Sequence, residues 1–151
     1  MTEQDEFWMK RALSEARAAD ALNEIPIGAC VIDAEGGMIA AASNRTITDN
    51  DPTAHAEILA LRHAAAKIGN YRLTGFTVYS TIEPCVMCAG ALVNARVERL
   101  VFGAHDERFG AVETLFHLCD HALLNHRLEI TKGVLADQCR ALMQEFFQNR
   151  R

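Results

Sequence analysis

Proline is scarce in this chain, at 3 of 151 residues, and neither an internal repeat nor a linker-like segment divides it. Half of the residues are hydrophobic and 23% are charged, a balance that excludes intrinsic disorder. No segment approaches the roughly 18 uninterrupted apolar residues of a membrane helix. A secretory leader would start basic and turn apolar, yet residues 1–10 carry Glu3, Asp5 and Glu6. Positive charge is also short. There are 15 Lys and Arg against 20 Asp and Glu, a net charge of −5. The deficit sits in residues 1–50, with 4 basic and 9 acidic residues, while the remainder balances at 11 and 11. Unspecific nucleic-acid coating wants a basic face, so this charge argues against it and leaves room only for a local patch. The 5 cysteines are odd in number and follow no secretory signal, which argues against a disulfide framework. These absences predict a soluble, cytoplasmic globular protein with no membrane partner, and the length predicts one domain over residues 1–151.

The apolar pattern alternates helices with strands. Phe7, Met9, Leu13, Ala16 and Leu22 form an approximately helical stripe over residues 3–22. Ile27–Ile32 and Met38–Ala42 flank the turn Glu35-Gly36-Gly37 and read as a hairpin. A polar loop spans Asn44 to Pro52. A helix is expected from about Thr53 to Ile68, stopped at Gly69-Asn70. Phe76–Ile82 reads as a strand, Cys85–Asn94 as a helix opened by Pro84, and Val97–Phe102 as another strand. Residues 103–127 show no clear period. Leu128–Thr131 is expected as a fifth strand and Asp137–Gln148 as a closing amphipathic helix. Helices alternating with strands after a hairpin predict an α/β fold of three layers, with helices on both sides of a mixed sheet.

Two segments carry chemistry, each at the start of a predicted helix: His55-Ala56-Glu57 and Pro84-Cys85-Val86-Met87-Cys88. Cys85 and Cys88 are three apart and share a face of the first turn. Helix N-termini carry partial positive charge and unpaired N–H groups, which lower thiol pKa values and favour thiolate ligands. With His55, the two thiolates make an S, S, N set that leaves a fourth tetrahedral position open, the pattern of catalytic zinc. Glu57, beside that position, suits proton transfer. A thioredoxin-like redox pair is the alternative for Cys85 and Cys88; it needs no partner histidine and no preceding proline. Glu83 reads as a backbone-positioning residue and Trp8 as packing. Phe146 and Phe147 are candidates for core or for stacking on RNA. Arg150-Arg151, with Arg140, is a candidate phosphate contact or a solvated helix end. His117-Leu118-Cys119-Asp120-His121 has poor ligand spacing and reads as surface loop or packing.

The joined order His-x-Glu and Pro-Cys-x-x-Cys is a known signature of zinc nucleobase deaminases. The wider context resembles the bacterial tRNA-specific adenosine deaminases, within the cytidine/deoxycytidylate deaminase superfamily. It is carried by Asn44, residues 51–57, residues 83–91, Val101-Phe102-Gly103-Ala104 and residues 125–130, and it runs from about residue 5 to the end. The resemblance implies a cytidine-deaminase-like fold with a five-stranded mixed sheet between helices. It implies hydrolytic conversion of adenosine to inosine at the wobble position of a tRNA anticodon, by zinc-activated water. One Zn2+ per subunit would be held by His55, Cys85 and Cys88, with Glu57 as the catalytic proton shuttle. Asn44, Ala56 and Asp106 would bind the substrate, Asn44 at the base and Asp106 at the preceding nucleotide. The partners implied are a tRNA anticodon stem-loop and a second copy of the chain. This sequence departs from relatives at His105 and Phe109, where basic or small polar residues are frequent, and over Thr114–Leu124. A zinc deaminase of free guanine, or of another free nucleobase or nucleoside, shares both motifs and is the rival. A deaminase-like binding module would be expected to lack the glutamate, and Glu57 is present.

Overall fold

A computed structural model describes residues 2–150 of the chain. Its elements are α1 (Glu3–Ala21), β1 (Gly28–Ile32), β2 (Met38–Ser43), α2 (Ala56–Ile68), β3 (Thr77–Ile82), α3 (Val86–Asn94), β4 (Arg99–Ala104), β5 (Glu129–Lys132) and α4 (Ala136–Gln148). The five strands form one sheet in the order β2-β1-β3-β4-β5. β1 is antiparallel to both β2 and β3, whereas β3, β4 and β5 run parallel. The sheet is therefore mixed and lies between two helix layers, the three-layer arrangement expected from the pattern, and its five strands match the fold that the resemblance implies.

Each face of the sheet has its own core. On one face Val31, Val78, Leu100 and Phe102 pack with Leu61 of α2 and Leu92 of α3. On the other, Cys30, Tyr79 and Val101 meet Met9 and Leu13 of α1 and Cys139 of α4. Gly28 permits the close seating of α1: a Cβ there would run into the Ala12 carbonyl and the Ala16 amide. The β1–β2 pairing shifts register between Val31 and Ile32, a bulge.

Two strand or helix starts move from expectation by two residues or more, each because a backbone N–H is bonded elsewhere. α2 starts at Ala56, three residues later than Thr53, and His55 is its N-cap. The delay comes from Asp51, whose Oδ1 accepts from the Thr53 N–H at 2.8 Å and the Thr53 hydroxyl at 2.7 Å. That side-chain turn competes with helical backbone bonding. β4 begins at Arg99 rather than Val97, and the Glu98 N–H just before it donates to the carbonyl of Phe76, which precedes β3, at 2.9 Å. Residues 105–127 hold turns and bends with no helix or strand.

α1 opens with a capping box in which the Asp5 N–H donates to Thr2 Oγ1 at 3.1 Å and the Thr2 N–H to Asp5 Oδ2 at 3.3 Å. Asp5 is 1% exposed and ties three elements together. Arg99 donates to both its oxygens at 2.9 and 2.8 Å, and the Tyr79 hydroxyl donates at 2.7 Å. Burial raises the Asp5 pKa, but the bonds from Arg99 and Tyr79 outweigh it and leave it at about 2, below 3.8. A folded-state pKa below the unfolded one stabilises above the unfolded value, and that stability is lost as pH falls through the folded one. Asp5→Asn should therefore abolish about 2 kcal/mol of pH-dependent stability. The stability gap between wild type and Asp5→Asn, measured by urea unfolding, should narrow between pH 4 and pH 2. A gap constant over that range would contradict the pairing.

Candidate metal centre and active site

The N-termini of α2 and α3 meet on one side of the sheet, and their N-caps are His55 and Cys85. Neither side chain caps its own helix, so both are free to turn toward each other. Cys88, one turn into α3, is fully buried. His55 Nδ1 lies 3.5 Å from Cys85 Sγ and 3.4 Å from Cys88 Sγ. The three ligand atoms all lie within 4.8 Å of one another. Tetrahedral zinc with one nitrogen and one sulfur ligand separates them by about 3.5 Å, given bond lengths near 2.0 and 2.3 Å. The donor set present thus fits a zinc ion in chemistry and in spacing.

The electrostatics agree with a thiolate-rich centre. A hydrogen bond from the Cys88 thiol, opposed by burial and aided by His55, brings Cys85 down to about 4. The same hydrogen bond pushes Cys88 up, and the contact with Cys85 raises His55. Glu57, in the first turn of α2, is 4% exposed, and its burial pushes the carboxyl up to about 7.

A cavity of about 390 Å³ opens over these groups, a size within the range of small-molecule pockets. Asn44, His55, Ala56, Glu57, Cys85 and Asp106 all line it. Every residue singled out for the site in the sequence therefore lies on this cavity, except Cys88, which is fully buried next to His55. Asn44 follows β2 and is 4% exposed; Ala56 is the first residue of α2 and fully buried. Asp106 Oδ1 accepts the N–H groups of Arg108 at 3.0 Å and Phe109 at 3.1 Å, which shapes the loop at the cavity mouth.

The sequence reading passed over Ile25, Ile27 and Met143, which also line the cavity. Met143 and Phe147 are four apart on α4 and share a flank, a signal that was available. Phe146 is 7% exposed and packs in the interior, whereas Phe147 reaches the cavity. Arg150 lies 3.8 Å over the Phe146 ring and donates to Asn23 at 2.7 Å. Arg140 donates to Asp137 at 3.0 Å. Arg151 lies outside the described residues. Trp8 packs against the α1-side core. Cys119 is buried with its thiol on the Ala89 carbonyl at 3.8 Å, while His117 and His121 are exposed.

Glu83 holds the cavity wall. It is 2% exposed, and its oxygens accept the N–H groups of Asp106, Val112, Glu113 and Thr114 at 2.9–3.1 Å, together with the Thr114 hydroxyl. Burial raises its pKa, but the Thr114 hydroxyl and the backbone donors outweigh this and lower it. Glu83 thereby fastens the irregular 106–114 segment beside Pro84 and Cys85. Glu83→Gln would turn an amide donor toward backbone donors. It should cost about 2–4 kcal/mol, since bonds to charged groups contribute about 1.5–3 kcal/mol each. Faster amide exchange at Val112–Thr114, with a lower urea midpoint, is the expected readout; unchanged exchange would exclude this fastening role.

This arrangement has known counterparts. A family profile described as MafB19-like deaminase matches residues 3–151. A tRNA-specific adenosine deaminase of Haemophilus influenzae is 50% identical over 150 residues, covering 99% of this chain and 87% of its own length. The chain belongs to the tRNA-specific adenosine deaminase family. Within solved structures, one from work on A-to-I editing by tRNA:A34 deaminases at the wobble position of transfer RNA superposes with a TM-score of 0.86. It is 40% identical and the match covers 90% of this chain and 98% of that one. The guanine deaminase of Nitrosomonas europaea is more distant, at 31% identity and a TM-score of 0.82, covering 93% of this chain and 83% of that one. The tRNA-specific adenosine deaminase family and the free-base enzymes thus share one fold, and the distances in sequence favour the former. Among the described residues no helix is long and apolar enough to cross a membrane.

Proposed function

We propose that this protein hydrolyses the C6–N6 bond of adenosine at the wobble position of a tRNA anticodon, releasing inosine and ammonia. His55, Cys85 and Cys88 hold one zinc ion per chain, Glu57 moves the protons, and the protein works in the cytoplasm as a homodimer. The observation that carries this reading is the convergence of the three donors with a buried glutamate on a base-sized cavity. Zinc supplies water activation near neutral pH, lowering the pKa of bound water to about 7.

The residues of this chain do the rest. Glu57 takes a proton from the attacking water and delivers it to N1 of the purine. It then takes the proton of the new C6 hydroxyl and passes it to N6, so that the C6–N6 bond breaks, ammonia leaves and C6=O remains. Asn44, on a well-packed strand end, orients the base. The buried Ala56 Cβ keeps the cavity floor shallow enough for a planar ring. Ile25, Ile27 and Met143 give the ring apolar walls that exclude competing water. Asp106 and its loop guide the flanking nucleotide.

The test compares substrates on one zinc-loaded preparation. The flanking contacts of an RNA hold the target base over the site, so remote binding energy supports the chemical step. An anticodon stem-loop with adenosine at the wobble position should form inosine. Free adenosine, adenine and guanine should react at least about 10³-fold less efficiently in kcat/KM, the equivalent of a few kcal/mol of flanking contact. Efficient ammonia release from free guanine, with no inosine in the stem-loop, would favour the free-base chemistry instead.

A further inference from the structure

Phe109 is 60% exposed at the mouth of the cavity. A lone exposed phenyl is ordinary on a protein surface. Three features set this one apart. Its position is on the rim of the cavity that takes the target base, with Arg108 beside it. Its backbone is fixed: the Phe109 and Arg108 N–H groups share Asp106 Oδ1, and Gly110 N–H donates to the Asp106 carbonyl at 3.0 Å. A Cβ on Gly110 would collide with the Glu83 carboxylate and that carbonyl, so the loop turns tightly against the cavity wall. Finally, the Arg108 guanidinium carbon lies 5.7 Å from the ring centroid, within cation–π range.

We propose that Phe109 is a stacking platform for the base adjoining the target, and that Arg108 meets the phosphate between the two nucleotides. The inference rests on the RNA-substrate reading given above. A base drawn into the cavity leaves its neighbour without one stacking partner. A fixed, exposed ring beside the cavity replaces that partner, and it does so for any base, because every base has a π-face. The charge of the chain favours such a platform. With 15 Lys and Arg against 20 Asp and Glu, phosphate neutralisation is opposed by the net charge, so stacking and shape add the affinity for a single-stranded loop. The aromatic ring and the adjacent cation on one short loop supply both elements of single-strand recognition.

Phe109 is mostly exposed, so its substitution leaves folding intact. Phe109→Ala should raise KM for the anticodon stem-loop about 10- to 100-fold, with kcat within about threefold of wild type. Phe109→Trp should restore KM, and Phe109→Leu, apolar but without a π-face, should not. Stem-loops with an abasic residue immediately before or immediately after the target provide the decisive comparison. On one of them wild type should lose the same factor, and Phe109→Ala should lose nothing more. A wild-type KM in Phe109→Ala, a fully active Phe109→Leu, or an undiminished penalty on both abasic substrates would overturn this inference alone. Absence of inosine with wild-type protein would overturn the substrate reading along with it.

Discussion

Glu57→Gln should keep its zinc and its fold and lose about 10⁴-fold or more in kcat. General acid–base groups typically contribute about 10²–10⁴-fold. In the proposed mechanism one carboxylate serves the attacking water, N1 and the departing amine, so the upper end or beyond is expected. The substitution preserves shape in a position that is 4% exposed, which limits its structural cost. Glu57 is not one of the three donors, so its substitution leaves His55, Cys85 and Cys88 in place. Metal content by atomic absorption and single-turnover inosine formation separate the two effects. Near-normal turnover in zinc-loaded Glu57→Gln would exclude the proton-shuttle role.

The second large effect concerns the donor set itself. Wild type should carry one zinc per chain, and Cys88→Ala should carry less than about a tenth of that and show no measurable turnover. Ligation and folding are coupled, because the three donors come together only in the folded chain. Cys88 is also fully buried beside Ala89 and Leu92, so its truncation removes packing as well as a ligand. Cys85→Ala, at a half-buried N-cap, removes a ligand with less packing, and it should show the same loss of metal with a smaller loss of stability. A full zinc complement in purified Cys88→Ala would sink the assignment.

Legibility in the sequence followed the range of the interactions involved. Pro84 and Cys85 mark the start of α3 because a proline-fixed backbone and an N-cap are local matters. The pairing of His55 with the two cysteines is 30 and 33 residues long-range, yet it was readable, because few arrangements other than a metal centre use those residue types together. The start of α2 was misread by three residues, since the competing bond belongs to the Asp51 side chain. The start of β4 was misread by two, since the Glu98 N–H is taken by the carbonyl of Phe76, 22 residues earlier, a bond that no local pattern records. What could not be read at all was the 105–127 segment. Its first part, residues 106–114, is held by Glu83, 23 to 31 residues away, accepting backbone donors, and no periodicity records a side chain that organises a loop from a distance. The same holds for Asp5, which bonds Tyr79 and Arg99 at separations of 74 and 94 residues.

The open sheet leaves two free margins, β2 and β5, each with unpaired backbone groups that invite another strand. Both are guarded. β5 is only four residues long and ends in Glu129 and Lys132, both exposed, so an incoming strand would have to strip water from a charge at either end. The bulge between Val31 and Ile32 adds local twist to the ribbon that β2 closes, and a twisted margin is a poor template for a straight partner. Strand-by-strand growth into fibrils is thereby suppressed at both ends, and two copies of this chain that associate must meet through their helices and loops rather than by extending the sheet.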